Sequence, residues 1–441
     1  SDLETAHKLK PHMKQIWGLV TSLNAELEQF EQAISLLSTM AKSDPSNEKH
    51  FENLGRCHQY LGNLEAAIKN YTHAVKINPN FTEAYSNMGI ALKDKGDLEA
   101  AINSYQQALK IKPDYAEAYN NMGIALKDKG DLEAAIDSYK QALKIKPDYA
   151  EAKANTVLLL TSYTPQKENL NLIIKVNEAI QKIDITCKSS KIISDEHIIN
   201  LFLESSTFIS GNSLEIKTEL SQTFRRNSVD LNCGRHMSIF NEHDIIPEFC
   251  FGCYKVQVEP RSIIDLIKLY VVFDQLELDE NNTRKCMVEL RPEIPGFYKG
   301  LIYCSGLKQA NQISEYLSRV VKDNIGSELS AKVKRGCSEY PIAFPDYREI
   351  NNSGPQLMNY TEEWKVIEDD FDRKKPMKAK ENLKPSLSGL NLNDILIIHK
   401  WLDYARGIGD SSANLINDDA VQYPEVYNLA KARLDTYHFT N

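Results

Sequence analysis

Six of the eight cysteines fall between residues 233 and 337, and a thiolate is both a soft metal ligand and a strong nucleophile. Cys250 and Cys253 form a CxxC just before the alternating segment YKVQVEP (254–260). Cys286 opens CMVELRP (286–292), and Cys304 lies near the end of FYKGLIYCS (297–305). A turn centred near Pro295 would set Cys286 opposite Cys304, Val288 opposite Ile302 and Leu290 opposite Gly300. Cys250, Cys253, Cys286 and Cys304 would then meet at one sheet edge. Four thiolates there suit a tetrahedral zinc or an iron–sulfur cluster. Cys337, Cys233 and His236 are further candidates. Two other readings stay open. Cys286 alternates with Val288, and Cys304 with Ile302, as small apolar core residues would. The CxxC also fits a redox dithiol. The spacing matches no standard zinc or ferredoxin template.

No phosphate loop, dinucleotide fingerprint, HExxH or GxSxG is present. The catalytic question is therefore left open. Charged residues gather around the expected turn, among them Glu259, Arg261, Glu289, Arg291 and Lys299. Arg291 and Lys299 flank it and could grip an anion. On an exposed sheet such residues are more often simply solvated.

These side chains need a scaffold. Period-two alternation marks strands at 254–260, 286–292, 297–305 and 329–336. Helical spacing of apolar residues marks 261–276 and 307–321. The order strand, helix, strand, strand, helix, strand is the βαββαβ plan of a ferredoxin-like sandwich. Helical spacing also runs through 167–183, 195–208 and 213–225. Residues 393–405 read as an amphipathic helix anchored by Trp401, and 424–434 as a final one.

The N-terminal third is built differently. Residues 82–115 and 116–149 are nearly the same sequence at an offset of 34. Such a period marks stacked helical units, none of which can bury its apolar face alone. Tyr119, Gly123, Gly130, Ala135, Tyr139, Ala142 and Pro147 recur one period earlier as Tyr85, Gly89, Gly96, Ala101, Tyr105, Ala108 and Pro113. Gly55, Gly62, Ala67, Tyr71, Ala74 and Pro79 repeat most of the set again. Pro11, Ala33 and Pro45 keep the phase of a weaker first unit. Over residues 12–163 the pattern resembles the tetratricopeptide repeat.

The resemblance implies a concave groove lined by the first helix of each pair. Asn53, Asn87, Asn121 and Asn155 recur there, one per unit. They are similar to the asparagine ladder in the repeat arm of O-linked N-acetylglucosamine transferases, which holds an extended peptide backbone. Asparagine at this place also bonds to the neighbouring helix, and both uses stay open. No glycosyltransferase domain follows, so that activity does not carry over. Arg56, Ile90 and Ile124 do not form the carboxylate clamp that grips chaperone tails. Lys93 and Lys127, beside Asp94 and Asp128, give the groove mixed charge.

The expected fold class is α+β. A repeat solenoid (1–163) of about four repeats leads to a helical cap or connector (164–230). A cysteine-bearing α+β domain (231–350) follows, then a linker or wrapping arm (351–390) and C-terminal helices (391–441). The expected partner is a protein or peptide in the groove, presented to the cysteine-bearing domain. The alternative is a metalloprotein or protein-modifying enzyme whose repeats recruit the substrate. The net charge of −9 argues against nucleic acid. The richest apolar stretch, 263–273, is broken by Asp265 and Lys268, so no membrane span is expected. Without a signal pattern or any need for disulfides, a reducing, cytoplasmic setting is the expectation. The chain opens at Ser1-Asp2 rather than Met, which leaves room for a segment upstream.

Overall fold

Glycine and proline punctuate each 34-residue unit into two packed helices. The computed structural model describes residues 30–166, 171–185, 192–226, 231–292, 294–352, 354–375 and 385–440. Pro11, residues 12–29 of the weak first repeat, Cys187 and residues 376–384 of the expected arm lie outside them. The chain divides into two compact units, Ser1–Leu159 and Leu160–Asn441.

In the first unit, α1 (Phe30–Ser43) precedes three helix pairs. These are α2 (Glu48–Tyr60) with α3 (Leu64–Ile77), α4 (Thr82–Lys95) with α5 (Leu98–Ile111), and α6 (Ala116–Lys129) with α7 (Leu132–Ile145). Helix α8 (Ala150–Leu160) follows. Gly96 and Gly130 close α4 and α6 in the left-handed conformation, at φ 93° and 94°. A side chain there would be strained. Asp97 and Asp131 then cap the next helices, each accepting from the backbone N–H three residues on. Tyr71, Tyr105 and Tyr139 are fully buried. Each ring lies where a Cβ on Gly55, Gly89 or Gly123 would stand, within 2.5–2.6 Å of it. Glycine is therefore required for the helices of each pair to approach.

The second unit holds helices α9 (Leu172–Gln181) and α10 (Asp195–Ser210) and a five-stranded sheet. Its strands are β1 (Gln222–Arg225), β2 (Tyr254–Val258), β3 (Arg284–Val288), β4 (Tyr298–Cys304) and β5 (Ala331–Arg335). They lie in the order β1-β3-β4-β2-β5, with every neighbour antiparallel. Short helices α11 (Cys233–His243) and α12 (Glu248–Phe251) precede β2. Helix α13 (Ile263–Gln275) joins β2 to β3, and α14 (Leu307–Asn324) joins β4 to β5. Gly300 in β4 admits α13: a Cβ there would come 2.3 Å from Leu269 Cδ2.

Three sequence expectations fail here. Residues 213–225 do not form a helix; they end in β1, which pairs along the edge of β3. The β3–β4 register differs by four residues, since Cys286 faces Gly300 and Val288 faces Tyr298. The connection is a long loop rather than a tight turn. Among the described residues only the Glu289 N–H continues the ladder, to the Phe297 carbonyl, because Pro292 and Pro295 have no N–H to donate.

The third concerns the helix expected over 393–405. After α15 (Tyr340–Ala343) and α16 (Glu362–Lys374), α17 (Leu392–Gly407) is buried on nearly every side rather than amphipathic. Its polar side chains are satisfied internally. Asp394 closes a capping box with Asn391 and receives Arg225 Nη2 at 2.7 Å. His399 Nε2 meets Ser206 Oγ at 3.0 Å, and Trp401 donates to the Ser221 carbonyl. Arg225 also reaches Asp274 at 2.6 Å and Tyr270. One guanidinium thus ties β1, α13 and α17 together. Helix α18 (Pro424–Thr440) packs on α17.

Candidate functional site

In the first unit α2 packs on α4 and α4 on α6, and Asn155 of α8 reaches Asn120 of α6, so the first helices of successive repeats line one side of the stack. Asn53, Asn87, Asn121 and Asn155 occupy equivalent places on these helices. They are not equivalent in use. Asn53 is 5% exposed, and its amide donates to the Lys49 carbonyl of its own helix at 2.8 Å. It is withdrawn from the surface. Asn87 Nδ2 donates to Glu52 Oε1, and Asn155 Nδ2 to Asn120 Oδ1, each at 2.9 Å. These bonds reach the preceding first helix and orient the amides while leaving oxygens able to accept. Burial raises the pKa of the Glu52 carboxyl, opposed by Arg56 and by the Asn87 bond. Asn121 is half-buried. Its counterpart neighbour is the shorter Ser86, and among the described residues it makes no such bond. Lys93 pairs with Asp94 at 3.0 Å and Lys127 with Asp128 at 3.7 Å, so these cations are locally balanced.

The cysteines of the second unit separate. Cys286 and Cys304 share the face of the sheet under α13. Burial pushes the Cys286 thiol up beyond the ordinary range and Cys304 to about 12. Cys250 is buried against the Tyr340 hydroxyl, 3.3 Å away, and Tyr347 donates to its carbonyl. Cys253 continues β2 on the opposite face, its carbonyl accepting from Gly336. Among the described residues, no three His, Cys, Asp or Glu side chains are grouped to hold a metal ion. The expected quartet fails because the shifted register places Cys286 and Cys304 out of line.

That opposite face carries a lysine on each of four strands: Lys285 on β3, Lys299 on β4, Lys255 on β2, and Lys332 with Lys334 on β5. Lys299 and Arg291 both bind Glu289, at 2.8 and 2.7 Å. Burial opposes ionisation of Glu289, but these two cations outweigh it and hold its pKa down at about 2. The pair expected to grip an anion is thus engaged from within.

The remaining lysines are not balanced in this way. Lys255 is 5% exposed, with Nζ 3.5 Å from Cys337 Sγ and 5.0 Å from the centre of the Tyr303 ring. Lys285 Nζ approaches the same ring at 5.9 Å and bonds to Gln222. Lys334 Nζ donates to the Ser338 hydroxyl. Burial, reinforced by Lys255, lowers Lys285 to about 8. Burial, then Lys255 and Lys299, lowers Lys334 to about 7. Sequence spacing gave little sign of this grouping. Cys337 reaches Lys255 through the α14 crossover and the left-handed turn at Gly336, φ 58°.

The repeats of the first unit are tetratricopeptide repeats. A family model described as TPR repeat matches residues 59–96 and 91–130, and one described as tetratricopeptide repeat matches 116–149. Among solved structures, the chain is similar to MamA, at 26% identity over 32% of this chain and 82% of that one, with a TM-score of 0.30. It is similar to TTC0263, a thermophilic TPR protein of Thermus thermophilus, at 23% identity over 33% and 81%, TM-score 0.30. It is also similar to the first TPR of Spaghetti (RPAP3) bound to an HSP90 peptide, at 22% identity over 26% and 92%, TM-score 0.26. No curated protein matches the chain. Among the described residues no helix is long and apolar enough to cross a membrane.

Proposed function

We propose that the repeat unit captures an extended protein segment, held through its backbone by Asn87, Asn121 and Asn155. The observation that carries this reading is their recurrence, once per repeat, on the inner helices, with Asn87 and Asn155 oriented by bonds to the preceding helix. Solenoids of this kind use their concave surface for binding. Backbone capture would tolerate many sequences, because every residue other than proline offers the same N–H and C=O. The test is peptide binding by the full chain with Asn87→Ala and Asn121→Ala together. Each lost bond contributes about 1 kcal/mol, so affinity should fall roughly 30-fold with helical content unchanged. Unchanged affinity would exclude the ladder.

In its fuller form, the segment is presented to the cysteine-bearing unit. We also infer a ferredoxin-like plan for β2–α13–β3–β4–α14–β5, with β1 an added edge strand; the antiparallel order supports this. The seven described cysteines are all free, which suits a reducing, cytoplasmic compartment. A protein-modifying role for the second unit is the alternative. What favours it is Lys334, whose pKa near neutrality lies in the range of a general base. Its mark would be turnover lost on Lys334→Met with peptide capture intact.

A further inference from the structure

Beside Lys334 the lysine face opens into a cavity of about 520 Å³. Its polar wall includes Lys332, Lys334, Ser338 and Arg348, and its apolar wall Ile294, Pro295, Pro341 and Ile342. Two other cations on its lining are spent elsewhere. Lys299 is held by Glu289. Arg335 donates to the carbonyls of Phe251 and Met358 and stacks on Tyr347 at 4.7 Å. Lys332, Lys334 and Arg348 remain, against one carboxylate, Glu259, which accepts from Gln257 at 2.5 Å. Among the described residues no carboxylate lies within ion-pair distance of these three cations. Lys334 has three N–H donors and one protein acceptor, the Ser338 hydroxyl. Its Cα partner across the ladder is Lys255, a further buried cation. A net positive, partly buried cavity of this kind is costly without an anion.

We propose that this cavity binds a small organic phosphate. Its phosphate sits among Lys334, Lys332, Arg348 and the Ser338 hydroxyl, and its organic part lies on Ile342, Pro341 and Pro295. A phosphate monoester carries nearly two charges near neutrality, where a carboxylate carries one, and so better offsets three cations facing one acid. Lysine serves as a point-charge phosphate ligand, and arginine as a bidentate one. The volume exceeds what a bare phosphate fills, and the apolar wall gives the remainder a place. This proposal is independent of peptide capture, which involves the other unit.

Binding also moves protons. Lys334 faces the cations Lys255, Lys299, Lys332 and Arg348 and the acidic groups Glu289, Glu259 and Cys337. Above its pKa of about 7 Lys334 is largely neutral, and an anion beside it restores the charge. Calorimetry on the full chain with phenyl phosphate and with inorganic phosphate, in buffers of different ionisation enthalpy, reads both effects. Phenyl phosphate should bind saturably, more tightly than inorganic phosphate, and with net proton uptake at alkaline pH. Lys334→Met should abolish the uptake and weaken binding at least about tenfold. Exposed Arg348→Ala, which leaves the interior intact, should weaken it several-fold. Lys308→Met, outside the cavity, should change nothing. Failure of the folded chain to bind either probe would overturn the proposal. So would binding that both cavity variants leave unaltered, or binding without proton uptake.

Discussion

Replacing Gly89 by alanine sets two effects of opposite sign against each other. Alanine is favoured over glycine in a helix interior by about 1 kcal/mol, and Gly89 lies inside α4. Yet its Cβ would stand 2.6 Å from Tyr105 Cε1 and 2.8 Å from Cζ, where carbon atoms ordinarily rest about 3.5–4.0 Å apart. An overlap of roughly 1 Å must be relieved by moving the ring or the helices. The ring is fully buried, and among the described residues its hydroxyl has no partner to follow. Overpacking of this kind costs about 1–3 kcal/mol, and the absence of slack favours the upper end. The expected net effect is a loss of about 1–2 kcal/mol. A whole-chain melt mixes two units, so the readout is hydrogen exchange of peptides from residues 82–111 in the intact protein. Opening there should rise by roughly tenfold. The double variant Gly89→Ala with Tyr105→Leu should fall short of the summed single effects by at least about 1 kcal/mol. Exchange as slow as, or slower than, in the parent would show that the ring yields and that close packing does not require this glycine.

Two further predictions follow from buried polar groups. Tyr71 donates to Gln59 at 2.8 Å, whereas among the described residues the hydroxyls of Tyr105 and Tyr139 have no partner, because Lys93 and Lys127 stand where Gln59 would. Tyr71→Phe should therefore cost about 1 kcal/mol, and Tyr105→Phe should be neutral or stabilising, measured by the same exchange; equal losses would contradict this. Asp274 and Asp394 share one guanidinium, and burial raises Asp394 from 3.8 to about 6. A raised carboxyl favours the folded state below its unfolded pKa and loses that contribution as pH rises through the folded one. The stability of the parent relative to Asp394→Asn should thus fall between pH 4 and 6, by about 3 kcal/mol at most. A flat difference in paired denaturation series would show that Asp394 stays ionised.

The repeats were legible because near-identical units must pack identically, and glycine, tyrosine and proline at fixed offsets admit one solution. The asparagine column was legible as a column but not in its use. At Asn53 a local acceptor, the Lys49 carbonyl, captures the amide, and spacing alone cannot reveal that choice. Strands β2 to β5 were legible from alternation. Strand β1 was not, since four residues, QTFR, are too few to show a period. The expected cysteine quartet depended on a register that two prolines in the loop displaced. The lysine face was hidden for a related reason: its members come from four strands, and only the crossover helices bring β5 beside β2.

Backbone capture by the inner asparagines carries the proposed function. The most direct test is selection from a random peptide library by the full chain and by the triple variant Asn87→Ala, Asn121→Ala, Asn155→Ala. The parent should enrich peptides of varied sequence, and the triple variant, equally helical, should enrich none of them. Equal enrichment by both, or none by the parent, would contradict backbone capture.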